Sequence, residues 1–197
     1  MVLKYSKEWF TEQEIKKLFE YPNISSRDLL LVRVCYYGAF RISEVLVSKR
    51  EDYELDDIYT YLILRKQKTD KMNWERQPIP PFTYGEVIRY CNDNNIKTQD
   101  YVFQTQKSHG SYMSYSMAYF IVKKYVKLAG MDKEITTHSF RRSRATHLLD
   151  DGLELYDVSK FLRHKSIVTT MKYLKISKKK LFDKVYKIDN KSIFDKI

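Results

Sequence analysis

The chain is poor in cysteine: of 197 residues only Cys35 and Cys91 are cysteines, and they lie far apart. That spacing argues against a disulfide framework and against a thiolate zinc knuckle. No apolar run approaches the roughly 20 residues that cross a bilayer, and no signal peptide opens the sequence. Five glycines and four prolines, three of the latter clustered at Pro78, Pro80 and Pro81, offer no candidate interdomain hinge. There is neither an internal repeat nor a low-complexity linker. No group of acids and histidines has metal-ligand spacing, which ranks a metal-dependent nuclease low. Negative charge is the scarcer sign, with 25 Asp and Glu against 36 Lys and Arg and a net charge of +11. Apolar residues are plentiful, at 43% with 15% aromatic, so a core can form and disorder is excluded for most of the chain. The expected protein is soluble, cytoplasmic and basic. Its charge suits a polyanion, because neutralised phosphates release condensed counterions. A merely lysine-rich solvated surface fits the composition equally well, and a membrane surface fits less well.

Local signals predict a mainly helical domain with one small antiparallel sheet, an α+β class. Thr11 with Glu14 forms a capping box ahead of Ile15, Leu18 and Phe19. Ser25 with Asp28 caps a second helix, apolar nearly all round over residues 29–37 and closed by Gly38. A short helix then starts near Arg41 and carries Ile42, Val45 and Leu46 inward. The first clear strand is 59–64, followed by a polar hairpin turn over 66–73 and a returning strand over 74–79. Further helices are expected over 83–91, 115–128, 138–149, 155–162 and 169–176. The 115–128 helix has Met117, Phe120, Ile121, Tyr125 and Leu128 at helical spacing and Gly130 just past its end.

Four pieces carry candidate chemistry. Arg41 stands in Arg41-Ile42-Ser43-Glu44, directly after the buried helix. Lys68 with Thr69 lies in the polar hairpin, where Lys66 and Lys71 compete for the same role. His138 and Arg141 share a helical face at i, i+3. His164 precedes Tyr173 by nine residues. Singly, each has a bland reading: a surface ion pair, a guard on a sheet edge, a structural hydrogen bond or a packing tyrosine. His109 and His147 have only that reading. Together they form a set for phosphodiester chemistry. Two guanidinium forks match a phosphate, and two imidazoles donate to its oxygens or take a proton. A lysine can protonate the leaving alkoxide, and a phenol can form a covalent phosphoester.

The strings Gly38-Ala39-Phe40-Arg41-Ile42-Ser43-Glu44, His138-Ser139-Phe140-Arg141-Arg142, Leu162-Arg163-His164 and Thr169-Thr170-Met171-Lys172-Tyr173 resemble the catalytic domain of the tyrosine recombinases, or phage-type integrases. The similarity runs over residues 11–176. It implies that Arg41 and Arg141 hold the scissile phosphate, and that His138 is a general base or phosphate donor with His164 a further donor. It implies that Lys68 is the general acid toward the 5′ oxygen and that Tyr173 is the nucleophile of a 3′-phosphotyrosyl link. Glu44 would orient Arg41 or a histidine. No metal or nucleotide cofactor is implied. The implied partners are double-stranded DNA and further copies of the chain in a synaptic tetramer.

Two departures stand out. Arg163 occupies the place where the family usually has glycine. The expected catalytic domain, 1–176, begins almost at Met1, without the amino-terminal DNA-clamping domain of family members. Residues 177–197 read as a lysine-rich tail helix, anchored by Leu181, Val185, Ile188 and Phe194 on its own domain or on a neighbouring protomer. The rival readings are a DNA relaxer like the type IB topoisomerases and an inactive DNA-binding regulator of the same fold.

Overall fold

A computed structural model describes residues 8–65, 74–105 and 110–171. Lys66, Lys68, Lys71, His109, Tyr173 and the 177–197 tail lie outside the described residues. In chain order the elements are α1 (Glu12–Phe19), α2 (Ser26–Tyr37), α3 (Ile42–Leu46), a 3-10 turn (Arg50–Asp52), β1 (Tyr53–Leu55), β2 (Thr60–Arg65), β3 (Trp74–Ile79), α4 (Pro81–Asp93), α5 (Tyr115–Leu128), α6 (Thr137–Asp150), α7 (Leu155–Phe161) and α8 (Ile167–Met171). The architecture is the expected α+β one, helices around a small antiparallel sheet of order β1-β2-β3.

Both amino-terminal caps form as the sequence dictates. Thr11 Oγ1 accepts from the Glu14 amide while Glu14 accepts from the Thr11 amide. Ser25 Oγ accepts from the Asp28 amide and starts α2. Side chains on nearly every face of α2 are buried, and the helix packs against both α4 and α6. β2 pairs with β3 from Thr60↔Ile79 to Arg65↔Trp74, so the 66–73 connection joins two antiparallel neighbours.

Several expectations need correction. The first strand is β1, three residues long and paired with β2 through Tyr53↔Leu62 and Leu55↔Thr60, not the 59–64 segment. α4 begins at Pro81, where the ring's fixed φ and missing N–H suit a first helical turn, and runs to Asp93 rather than Cys91. α5 has the expected bounds but buries Ala118, Ile121, Val122, Tyr125 and Val126, leaving Met117, Phe120 and Leu128 exposed. α8 begins at Ile167, two residues before its expected start.

The main core gathers Phe10, Leu31, Phe40, Phe103 and Phe140 among other fully buried side chains. A second cluster of Ala39, Ala145, Leu148, Val158 and Leu162 seats α7 on α6 and on the turn after α2. His147 has the structural role expected of it. Its ring is buried, with Nδ1 2.8 Å from the Tyr36 hydroxyl and Nε2 3.0 Å from the Phe10 carbonyl.

Candidate active site

The turn after α2 presents Arg41. Gly38 keeps a negative φ of −87°, and the left-handed residue is Ala39, at φ 48°. What position 38 needs is space, since a Cβ there would lie 1.9 Å from the Phe40 ring. The close approach lets Phe40 drop into the core and leaves Arg41 at the N-terminus of α3, with its side chain 44% exposed. One turn on, the Glu44 carboxylate accepts from the Arg41 amide at 2.8 Å and from Arg41 Nη1 at 2.9 Å. It also accepts from Arg163 Nη2 at 2.6 Å. Burial would raise the Glu44 pKa, but the Arg163 charge and the Arg41 amide and guanidinium outweigh it and hold the carboxyl below its ordinary range.

α6 contributes His138 and Arg141. Arg141 is buried, at 2% exposure, and Nη1 donates to the Ala39 carbonyl at 2.6 Å while Nη2 donates to the Leu162 carbonyl. From β3, buried Gln77 donates Nε2 hydrogens to the Gly38 carbonyl at 3.1 Å and the Phe161 carbonyl at 3.0 Å. Two buried polar side chains therefore join the same two chain segments, the turn that presents Arg41 and the exit of α7 that presents His164. The Arg141 guanidinium is thus a buried charge bonded to both segments.

At the end of α7, Arg163 turns the chain with φ 55°. His164 follows, with Nδ1 2.8 Å from Oγ1 of the fully buried Thr170. When that hydroxyl donates, the ring proton sits on Nε2, the tautomer suited to giving a hydrogen bond to substrate. Burial, then the charges of Arg141, Arg41 and Arg163, lower the His164 pKa to about 4. His138 shifts the same way, through partial desolvation and then the charges of Arg141, Arg41 and Arg142. Both rings are neutral near pH 7, able to donate one proton or accept one.

Arg41, Lys49, Arg65, Arg163, His164 and Lys165 line an open cleft of about 990 Å³, which Glu44, Asp52 and Glu75 also border. Arg65 and Glu75 stand at the strand ends flanking the 66–73 connection that contains Lys68. Among the described residues, no three His, Cys, Asp or Glu side chains gather as a metal site would require.

The structure thus brings together Arg41, Glu44, His138, Arg141 and His164 from α3, α6 and the α7 exit; Lys68 and Tyr173 lie outside the described residues. Sequence reasoning did not assign roles to Gln77 or Thr170. A glutamine on the buried face of a strand ending in apolar Ile79 was the available signal for the first. For the second there was only its place in the string 169–173.

Residues 8–180 match the profile of the Phage integrase family. The sequence is 29% identical over 175 residues to a tyrosine recombinase of Pseudothermotoga lettingae, covering 88% of this chain and 58% of that one. It is 30% identical over 177 residues to the tyrosine recombinase XerA of Pyrococcus furiosus, covering 89% and 59%. The chain therefore spans less than two thirds of the length of these relatives. Among solved structures, a XerA recombinase superposes with a TM-score of 0.77 at 22% identity, covering 91% of this chain and 64% of that one. The XerH site-specific recombinase bound to its difH substrate, in a pre-cleavage complex, superposes with a TM-score of 0.71 at 21% identity, covering 84% and 49%.

Proposed function

The chain belongs to the phage integrase family, and from that premise we propose that it is the catalytic portion of a site-specific DNA recombinase working through a covalent 3′-phosphotyrosine. The observation that carries this reading is that Arg41 and His164, from separate stretches of chain, line one positively charged cleft, with Arg141 and His138 near enough that the charges of Arg41 and Arg141 act on both histidines. The XerH neighbour was solved on its difH substrate and a Tn1549 transposon integrase on transposon right end DNA, which supports DNA as the partner.

The roles follow from the geometry and the chemistry. Arg41, exposed and braced by Glu44, presents its guanidinium to the non-bridging oxygens of the scissile phosphate. Arg141 fixes the two segments through the Ala39 and Leu162 carbonyls and lends its charge and further N–H donors to the phosphate. Neutral His164 donates from Nε2, and neutral His138 takes the phenol's proton or donates in turn. Tyr173 is the nucleophile. Its oxygen bonds to phosphorus as the bond to the 5′ oxygen breaks, and Lys68 passes a proton to that leaving oxygen. An incoming 5′ hydroxyl reverses each step, so the ester energy is retained and no nucleotide is consumed. Self-association into a tetramer on DNA would let strands exchange partners.

The test is covalent capture. The chain is incubated with a randomised pool of nicked suicide duplexes in EDTA and run on a denaturing gel. The expected result is a protein–DNA adduct that disappears with Tyr173→Phe. An adduct persisting in that variant would move the nucleophile elsewhere, and one that forms only without chelator would indicate a metal pathway.

A further inference from the structure

Position 163 is an unusual place for an arginine. It follows the last residues of α7 in the left-handed conformation, φ 55°, which glycine adopts without steric cost. Its side chain does not extend into solvent, as a surface arginine at a helix end would. Only 7% exposed, it folds beneath α3, with the guanidinium carbon 5.5 Å from the centre of the Phe40 ring. Nη2 donates to Glu44 at 2.6 Å, while buried Nη1 has no hydrogen-bond partner among the described residues. A left-handed backbone and an unpaired buried donor are both unfavourable, and a buried ion pair is weak support for a fold. The arrangement makes physical sense through what lies beyond Glu44. The same carboxylate holds the Arg41 amide and the Arg41 guanidinium, so Arg163, Glu44 and Arg41 form one ionic relay along the cleft wall, from a nearly buried arginine to an exposed one.

We propose that Arg163 is a positioning residue that fixes Glu44 and, through it, the orientation in which Arg41 presents its guanidinium to the scissile phosphate. The proposal rests on the recombinase reading above. Arg163 acts through Glu44: its contribution is to remove the freedom Glu44 would have if tied to Arg41 alone. A carboxylate held from behind keeps a solvent-exposed arginine in one rotamer, so less order has to be imposed when phosphate arrives.

Two substitutions separate positioning from support of the fold. Arg163→Gly accepts the left-handed backbone, and Arg163→Met keeps bulk over Phe40 without charge. Three readouts are needed: the thermal melting midpoint, duplex affinity by gel shift, and the single-turnover rate of covalent adduct formation. Both variants are expected to fold and to bind duplex within about twofold of the parent, and to form adduct about tenfold more slowly. Arg163→Lys should recover part of the rate. Adding Arg163→Met to Glu44→Gln should slow it no further, because Arg163 acts on Arg41 only through Glu44. Parent-like cleavage in Arg163→Met would overturn the proposal. So would failure of both variants to fold, which would make Arg163 a strut, and so would parallel loss of affinity and rate, which would make it a DNA contact. Absence of adduct with the unsubstituted chain would instead overturn the recombinase reading itself.

Discussion

Gly38 and Ala39 divide between them two demands that a single glycine often meets at the end of a helix. The sequence points to Gly38 as the residue that closes α2, and it does follow the last helical turn, but the positive φ belongs to Ala39. Gly38 is instead required by the Phe40 ring, which occupies the volume a Cβ would take. The two positions should therefore respond oppositely. Gly38→Ala forces a fully buried ring to move and is expected to cost about 1–3 kcal/mol, the usual range for an overpacked core. Ala39→Gly removes a left-handed alanine and should be neutral or stabilising by up to about 1 kcal/mol. Urea denaturation of both variants checks this, and equal destabilisation by the two would contradict it. Because the turn presents Arg41, Gly38→Ala should also slow adduct formation by more than its stability loss explains.

At the scale of elements, legibility follows sequence distance. The caps of α1 and α2 are contacts over three residues, and both stand in the sequence as they stand in the structure. β1 escapes notice because three residues carry too little alternation, and its identity comes from pairing with β2. α5 has apolar residues on two faces at helical spacing, so periodicity locates the helix but not its inward side. Neighbouring elements settle that, burying Ile121 and Tyr125 and leaving Phe120 60% exposed. The site divides in the same way. Arg41, Glu44, His138, Arg141 and His164 are legible as candidates because the short strings that hold them resemble those of the family, whereas the bonds that tie these strings together span 39 and 84 residues at Gln77 and 119 at Arg163. Gln77 tests that account. Gln77→Leu would leave the Gly38 and Phe161 carbonyls without this donor in a buried setting. The expected loss is about 2–4 kcal/mol, or a melting midpoint lower by roughly 5–15 °C. Native-state hydrogen exchange should show the loosening concentrated at the α2–α3 turn and the α7 exit. A uniform loss across the helices would show that Gln77 contributes packing rather than a tether.

For the molecule as a whole, the same histidines should make stability and, on the recombinase proposal, duplex affinity respond to pH in opposite directions. His138, His147 and His164 all have folded pKa values below that of a free imidazole, His164 at about 4. Below about pH 6.5 the unfolded chain binds protons at these rings that the folded chain still refuses. Their contribution is thus complete above about 6.5 and is lost as pH falls toward the folded values. The depressed carboxyls of Glu14 and Glu44 keep their contribution down to the carboxylate range and lose it only there. The melting midpoint should therefore fall between about pH 7.5 and pH 5, above the range in which the depressed Glu14 and Glu44 carboxyls take up protons. Duplex binding should do the reverse. A phosphate brought against His138 and His164 offsets the charges of Arg41 and Arg141, raises both imidazole pKa values and makes binding take up protons, so affinity rises as pH falls. His147 is the internal control, since it is held between Tyr36 and Phe10. His147→Gln should weaken the pH dependence of the melting midpoint and leave that of affinity unchanged, whereas His164→Gln should weaken both. Melts and gel shifts across this range, at one fixed salt concentration because phosphate contacts are screened, measure the two slopes together. Slopes of the same sign would show that the histidines do not meet the phosphate.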